Sequence, residues 1–169
     1  MPYSVLIVDD QAIIRELLEE ALTRERYAIF SAPSAEAALK ILATQPVDVV
    51  VSDEKMPGMS GTQFFGIVRN RYPDTIRIIL TGHASLDTAI RAINEGEIYR
   101  FFTKPCNIVD LTVTIRQGLQ QRELHRENLR LKKIIDRQAT TLETLEKQCP
   151  GISDVKRDVD GTVIIDLDE

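Results

Sequence analysis

The chain has 169 residues, 43% of them hydrophobic and 28% charged, with a formal net charge of −5. That balance describes a globular domain able to bury a real core and argues against a general nucleic-acid binder. Cys106 and Cys149 match no metal-ligand spacing and read as reduced thiols; no signal peptide opens the sequence, and no apolar run approaches the roughly 18 residues of a membrane span, so a cytoplasmic location is expected.

Residues 4–8 read as a first buried strand ending in the pair Asp9 and Asp10. Ile14, Leu17, Leu18 and Ala21 then recur at the three- and four-residue spacing of one helical face. Residues 27–30 suggest a second strand closed by Pro33, and Ser34 is placed to cap a helix with Ala35, Ala38, Leu39 and Leu42 on its inner face. Residues 47–51 are dominated by valine, the pattern of a strand covered on both faces of a parallel sheet. Asp53 stands at its C-terminal end. Alone, that carboxylate is either an ordinary loop residue or a reactive group held at the lip of a sheet, where open α/β sheets bind ligands.

Ser60 and Gln63 have capping-box spacing before a helix carrying Phe64, Ile67 and Val68. Residues 76–80 form a fourth strand ending at Thr81 and Gly82. Ser85 is placed to cap a helix with Leu86, Ala89, Ile90 and Ile93. Residues 98–102 form a fifth strand, broken by Lys104 and Pro105, and Asn107 starts the last helix. Five alternations of strand and helix predict a parallel sheet covered on both faces, with right-handed crossovers and the flavodoxin-like order 2-1-3-4-5.

The last helix runs on. From Asn107 to about Gln148 there is no proline, a length of roughly 60 Å at 1.5 Å per residue, until Pro150 and Gly151 end it. Beyond them, Asp160-Gly161 between β-prone runs is a hairpin signal. An isolated hairpin is marginal in water, so it is expected to pack on something.

The predicted strand order sets Asp9 and Asp10 beside Asp53. Carboxylates so close repel by about 4 kcal/mol per pair at 4 Å and an effective dielectric near 20. Such a cluster persists because a cation sits there or because one group stays protonated. Only oxygen ligands are on offer, so a hard ion, best Mg²⁺, is expected. Thr81 and Lys104 reach the same edge, where a hydroxyl and an ammonium facing a carboxylate would cradle a phosphoryl group. Asp53 would then be the nucleophile, forming an aspartyl phosphate.

Asp9 and Asp10 after the first strand, Asp53-x-x-Met56-Pro57-x-Met59-x-Gly61, Thr81-Gly82-His83-Ala84 and Phe102-Thr103-Lys104-Pro105 together resemble the receiver domain of two-component response regulators, the CheY-like superfamily, over roughly residues 3–121. The resemblance implies that Asp53 accepts phosphate from a phosphohistidine on a sensor histidine kinase or phosphotransfer protein. It implies Mg²⁺ held by Asp10, Asp53 and the backbone carbonyl of Lys55, with Asp9 acting mainly through water. Thr81 and Lys104 would contact the phosphoryl oxygens, Phe101 would be the switch aromatic, and the Lys104-Pro105 bond would be cis. Lys55 and His83 resemble the variable pair that tunes phosphoryl lifetime. Lys55 could also be merely solvated and His83 a surface histidine. Residues 99–105 look like the version found in receivers attached to NtrC-type activators or cyclic-di-nucleotide phosphodiesterases.

The expected organisation is a receiver over 1–121, a coiled-coil extension over 122–148 and a hairpin tail over 149–169. Leu124, Leu131, Gln138 and Leu145 occupy heptad d, and Asn128, Ile135 and Leu142 occupy a, a seam for a parallel homodimer in which Asn128 fixes register. The same stripe could instead be packed core. Arg122, Arg126 and Arg130 could suggest a DNA-contacting helix, but they interleave with Glu123 and Glu127 and read as a solvated face, so no direct nucleic-acid contact is expected. The function expected is a phosphoacceptor switch acting on an unknown downstream protein. It stands alone or is a receiver cut from a larger regulator. The rival is a phosphatase-like hydrolase using Asp53, for which the loops look too short to form a substrate pocket.

Overall fold

The computed structural model describes residues 2–82, 87, 90, 93, 98–148 and 150. The chain divides into two compact units, Met1–Arg122 and Glu123–Glu169. In order, the elements are β1 (Ser4–Val8), α1 (Ala12–Thr23), β2 (Ala28–Ala32), α2 (Ala35–Thr44), β3 (Val49–Asp53), α3 (Gly61–Arg71), β4 (Ile76–Thr81), β5 (Arg100–Thr103) and α4 (Ile108–Gln148). The five strands form one sheet in the order β2-β1-β3-β4-β5, every neighbouring pair parallel, as the alternation predicts.

Successive side chains of a strand point to opposite faces, so the sheet builds two cores. On one face Leu6, Val8, Val50 and Ile79 meet Ala38 and Leu42 of α2 and Phe64, Phe65 and Val68 of α3. On the other, Val5, Ile7, Val51, Ile78 and Leu80 meet Leu18 and Leu22 of α1 and Leu111, Ile115 and Leu119 of α4. Both faces of β1 and β3 are covered, which is why their sequences are apolar without alternation.

The caps follow the sequence. Ser34 accepts a hydrogen bond from the Ala37 N–H, and Ser60 and Gln63 form a complete capping box. Asn107 Oδ1 accepts from the Val109 and Asp110 N–H groups at the start of α4. Four expectations shift. The second strand runs two residues further, because its ladder to β1 extends to Val8↔Ala32. The third strand spans Val49–Asp53, not 47–51, because its pairing with β1 starts at Val5↔Val49. The fifth begins at Arg100, where pairing with Ile78 starts. On α1, Leu17 is 55% exposed while Leu22, not foreseen, is fully buried. The inner stripe of that helix climbs by fours through Ile14, Leu18 and Leu22, turning Leu17 outward. After β4, Asp87, Ile90 and Ile93 are helical. Ser85, Leu86, Ala89, the hairpin and Cys149 lie outside the described residues. No helix among the described residues is long and apolar enough to cross a membrane.

Arg122, expected at the head of the extension, belongs to the first unit. Its guanidinium pairs with Asp48 Oδ1 at 2.8 Å and donates to the Asp48 carbonyl at 3.3 Å, and it lies over the Tyr3 ring. Asp48 Oδ2 also accepts from the Ser4 N–H and hydroxyl, at 2.8 and 3.0 Å. One carboxylate thus ties the start of β1, the approach to β3 and α4 together at the edge of the sheet opposite Asp53. Burial acts to raise the Asp48 carboxyl, but the Ser4 and Arg122 donors outweigh it and hold it below the usual carboxylate value.

A depressed folded-state pKa contributes stability that is present above the unfolded value near 4 and lost as pH falls through the lower folded one. Asp48→Asn is therefore expected to cost about 1–2 kcal/mol at neutral pH and to flatten the acid limb of stability. Urea unfolding at neutral pH and near pH 3 checks both; equal losses at the two pH values would refute the ionic role.

Candidate functional site

Each site residue sits at the C-terminal end of a strand, and ladder register decides which of them meet. Val8 pairs with Ser52, so Asp9 follows one residue behind at the level of Asp53. Asp53 pairs with Leu80, and Thr81 with Thr103, which brings Lys104 to the same edge. The Lys104 N–H donates to the Thr81 carbonyl at 2.9 Å. The Lys104-Pro105 peptide bond is cis.

The Lys104 ammonium bridges the carboxylates, 2.9 Å from Asp9 Oδ2 and 3.1 Å from Asp53 Oδ1. Where the sequence leads one to expect an added cation or a proton to relieve the repulsion, part of the relief comes from this lysine, whose expected partner is an incoming phosphoryl group. Asp9 is fully buried, and its other oxygen accepts from the Gln11 N–H at 2.9 Å. Asp10 is exposed, yet one oxygen from each of Asp9, Asp10 and Asp53 lies within 4.8 Å of the others. Three convergent carboxylates with no nitrogen or sulfur donor among them fit a hard divalent cation.

Burial is the largest influence on Asp53 and, with repulsion from Asp9, pushes its carboxyl above the usual range, although Lys104 and the Lys55 N–H pull the other way. Burial acts against the charge of Lys104 too. Its hydrogen bond to Asp9 and the attraction of Asp53 prevail and raise it above the ordinary lysine value. The ammonium is thus locked in its charged form, while the carboxylate beside it stands in want of more positive charge.

Thr81 is fully buried, and its hydroxyl donates to the Gly82 carbonyl at 3.0 Å. Phe101 is half-buried against the α2/α3 core. The Lys55 side chain is exposed, and its N–H bonds Asp53. His83 lies outside the described residues. Cys106 is half-buried, its thiol pushed up to about 11 chiefly by burial, so it is a poor nucleophile at neutral pH.

One support was missed in the sequence. Glu54, buried beside the site, accepts from the Thr62 N–H at 2.9 Å and its hydroxyl at 2.7 Å, while its own carbonyl accepts from the Gly61 N–H. This fastens the start of α3 beneath Asp53. A Cβ on Gly61 would collide with the Asp53 carbonyl and stand 3.0 Å from Glu54 Cα. A glutamate one residue past a strand and a threonine at a helix start give only the faint signal of an acid at a helix N-terminus.

A family model described as the response regulator receiver domain matches residues 5–116. The hydrogenase transcriptional regulatory protein HoxA of Cupriavidus necator is 34% identical over 76% of this chain and 27% of its own length. A putative NtrX-like response regulator of Rickettsia bellii is 37% identical over 79% of this chain and 28% of its own. The chain thus spans about a quarter of the length of these curated relatives. Among solved structures, a response regulator receiver domain protein from Clostridium thermocellum superposes with a TM-score of 0.69 at 31% identity, covering 72% of this chain and 98% of that one.

Because the obstruction at Gly61 is backbone, Gly61→Ala is expected to cost about 1–3 kcal/mol, the scale of overpacking. Gly66, on the same helix with open space around it, should gain up to about 1 kcal/mol from the same change. Urea unfolding of the two variants tests the pair, and a neutral Gly61→Ala would show that the loop yields.

Proposed function

The chain belongs to the response regulator receiver family, and from that premise we propose that it accepts a phosphoryl group on Asp53, from a sensor histidine kinase or a phosphotransfer protein, and changes shape in response. The observation that carries this reading is the Asp9–Lys104–Asp53 bridge. A carboxylate short of positive charge, beside a lysine held cationic, is built to receive a charged electrophile. As an Asp53 oxygen bonds to phosphorus, the bond from phosphorus to the donor nitrogen breaks, and the displaced imidazole leaves with the electron pair. Lys104 is close enough to turn from the carboxylates to the incoming oxygens.

Asp10 and Asp53, with the Lys55 backbone carbonyl, would hold Mg²⁺. Asp9, both of whose oxygens already accept protein donors, would act mainly through water. Bound there, the ion supplies charge that draws a phosphoryl donor toward a cluster otherwise repelling it. Phosphorylation brings roughly −1.5 to −2 charges. Thr81 would exchange its bond to Gly82 for one to the new group, freeing space for Phe101 to turn inward. That is a population shift between two packed states. Lys55, exposed at the lip of the site, and His83 would set how long the phosphoryl group survives. The chain turns over no metabolite in this reading; sustained hydrolysis of a phosphorylated metabolite would favour the phosphatase-like rival.

The helical extension is the proposed means of assembly. Leu124, Leu131, Ile135, Leu142 and Leu145 are exposed, as are Asn128 and Gln138 between them. A second copy in parallel would cover that seam, Asn128 fixing its register at some cost in stability. The downstream partner is a protein, reached in the cytoplasm, and a longer form of the chain could carry its own output domain.

Acetyl phosphate with Mg²⁺ should retard the wild-type chain on a phosphate-affinity gel, with Asp53→Asn unshifted and EDTA abolishing the change; equal labelling of Asp53→Asn would sink the assignment. Thr81→Ala should accept phosphate yet leave the Phe101 amide signals unmoved. Light scattering should give about twice 19.1 kDa, falling toward monomer on truncation after Arg122. A full-length monomer at tens of micromolar would rule out the seam.

A further inference from the structure

The face of α4 opposite the apolar seam is basic. Arg126, Arg130, Lys133 and Arg137 recur at spacings of four, three and four, and with Leu129 and Ile134 they line one shallow groove. At 100° per residue, this stripe lies on the far side of the helix from Leu124, Asn128, Leu131 and Ile135. Leu129 and Ile134 are 48% and 42% exposed. Arg126 meets Glu123 at 3.5 Å and Arg130 meets Glu127 at 3.8 Å, both solvent-exposed one-turn pairs. Among the described residues, neither Lys133 nor Arg137 has an ion-pair partner.

The sequence after Pro150 has the opposite character. Asp154, Asp158, Asp160, Asp166, Asp168 and Glu169 stand against Lys156 and Arg157, a net side-chain charge of −4, with Val163, Ile164, Ile165 and Leu167 between them. We propose that residues 151–169 dock on the basic face of their own α4, their carboxylates on Arg130, Lys133 and Arg137 and their apolar side chains over Leu129 and Ile134.

Reach permits it. From Gln148 back to Arg126 is about 33 Å of helix, and nineteen extended residues span about 60 Å. Folded in half at Asp160-Gly161 they still span about 30 Å, as far as Arg130, with Pro150 and Gly151 supplying the reversal. A hairpin of this size is marginal alone and needs a surface with an apolar component. A nucleic-acid backbone suits the face less well: it offers nothing apolar to Leu129 and Ile134, and Glu123, Glu127 and the overall charge of −5 repel it. The seam stays clear, so docking and dimerisation are compatible.

The test uses the full, unphosphorylated chain, so its result does not depend on Asp53. A zero-length carbodiimide joins lysines to carboxylates in contact, and peptide mass spectrometry reads the links. Lys133 should couple to Asp158 or Asp160, which the folded tail sets beside it, several-fold more than Lys132, which points away from the basic face and serves as an internal control. The bias should fade at 1 M salt, where screening shortens to about 3 Å, and vanish in Arg130→Glu/Arg137→Glu while unfolding remains cooperative. Mixing isotope-labelled and unlabelled chains should give links within one chain. Equal coupling of Lys132 and Lys133, links only between chains, or survival of the bias in the charge-reversed variant would overturn the proposal. So would a DNA duplex that binds the chain at physiological salt and displaces the Lys133 links.

Discussion

The constraint on which the site depends is that two buried carboxylates share one ammonium. Asp9 and Asp53 end neighbouring strands, so ladder register alone forces them together. Lys104, from the strand at the edge of the sheet, reaches both at about hydrogen-bond distance. One positive charge does not balance two negative ones, and Asp10 brings a third within reach. The imbalance has a direction. The two carboxylates hold Lys104 charged, while burial, with repulsion from Asp9, pushes the Asp53 carboxyl above the usual range, so a cation entering at Asp10 and Asp53 would relieve a carboxylate stripped of water. The buried hydroxyl of Thr81 is occupied by a neighbouring carbonyl and is thus free of the carboxylates until something at Asp53 gives it a better partner.

The bracing around Asp53 follows from the same need. Asp53 must stay at the strand end while the chain leaves through residues 54–60 and turns back past it into α3. Glu54 holds that exit by accepting from both groups of Thr62, and Gly61 lets the helix start pass against the Asp53 carbonyl. At the opposite edge, Asp48 does comparable work for Ser4 and Arg122. A flexible loop after Asp53 would let the carboxylate relax away from Asp9 and dissipate the imbalance.

How much of this was legible in the sequence depended on the kind of signal. Strand order, both cores and the three caps at Ser34, Ser60 and Asn107 rest on local patterns and were readable. The convergence of Asp9, Asp10, Asp53 and Lys104 was readable because register follows from strand order. What Lys104 touches was not, since a lysine side chain is long enough to serve a ligand or a carboxylate, and sequence does not choose. Leu17 and Leu22 changed places because both fit a helical period and only the tilt of α1 on the sheet decides between them. Glu54 and Asp48 were missed for one reason: an acidic residue beside a strand is ordinarily solvent-facing, and its burial shows only once its donors are in place.

The extension obeys a different logic from the domain. In the first unit, buried apolar residues specify a fold, and polar groups are placed by it. Along α4 beyond Arg122, every apolar residue from Leu124 to Leu145 is exposed among the described residues, so the helix does not cover its own apolar surface. Two opposite faces, one apolar with the amides of Asn128 and Gln138 inside it and one cationic, ask for two different covers. A second copy suits the first because like meets like along a seam. It cannot suit the second, where a copy would set cations against cations. A cover for the basic face must be acidic and carry some apolar surface, and the sequence that follows the helix has both properties.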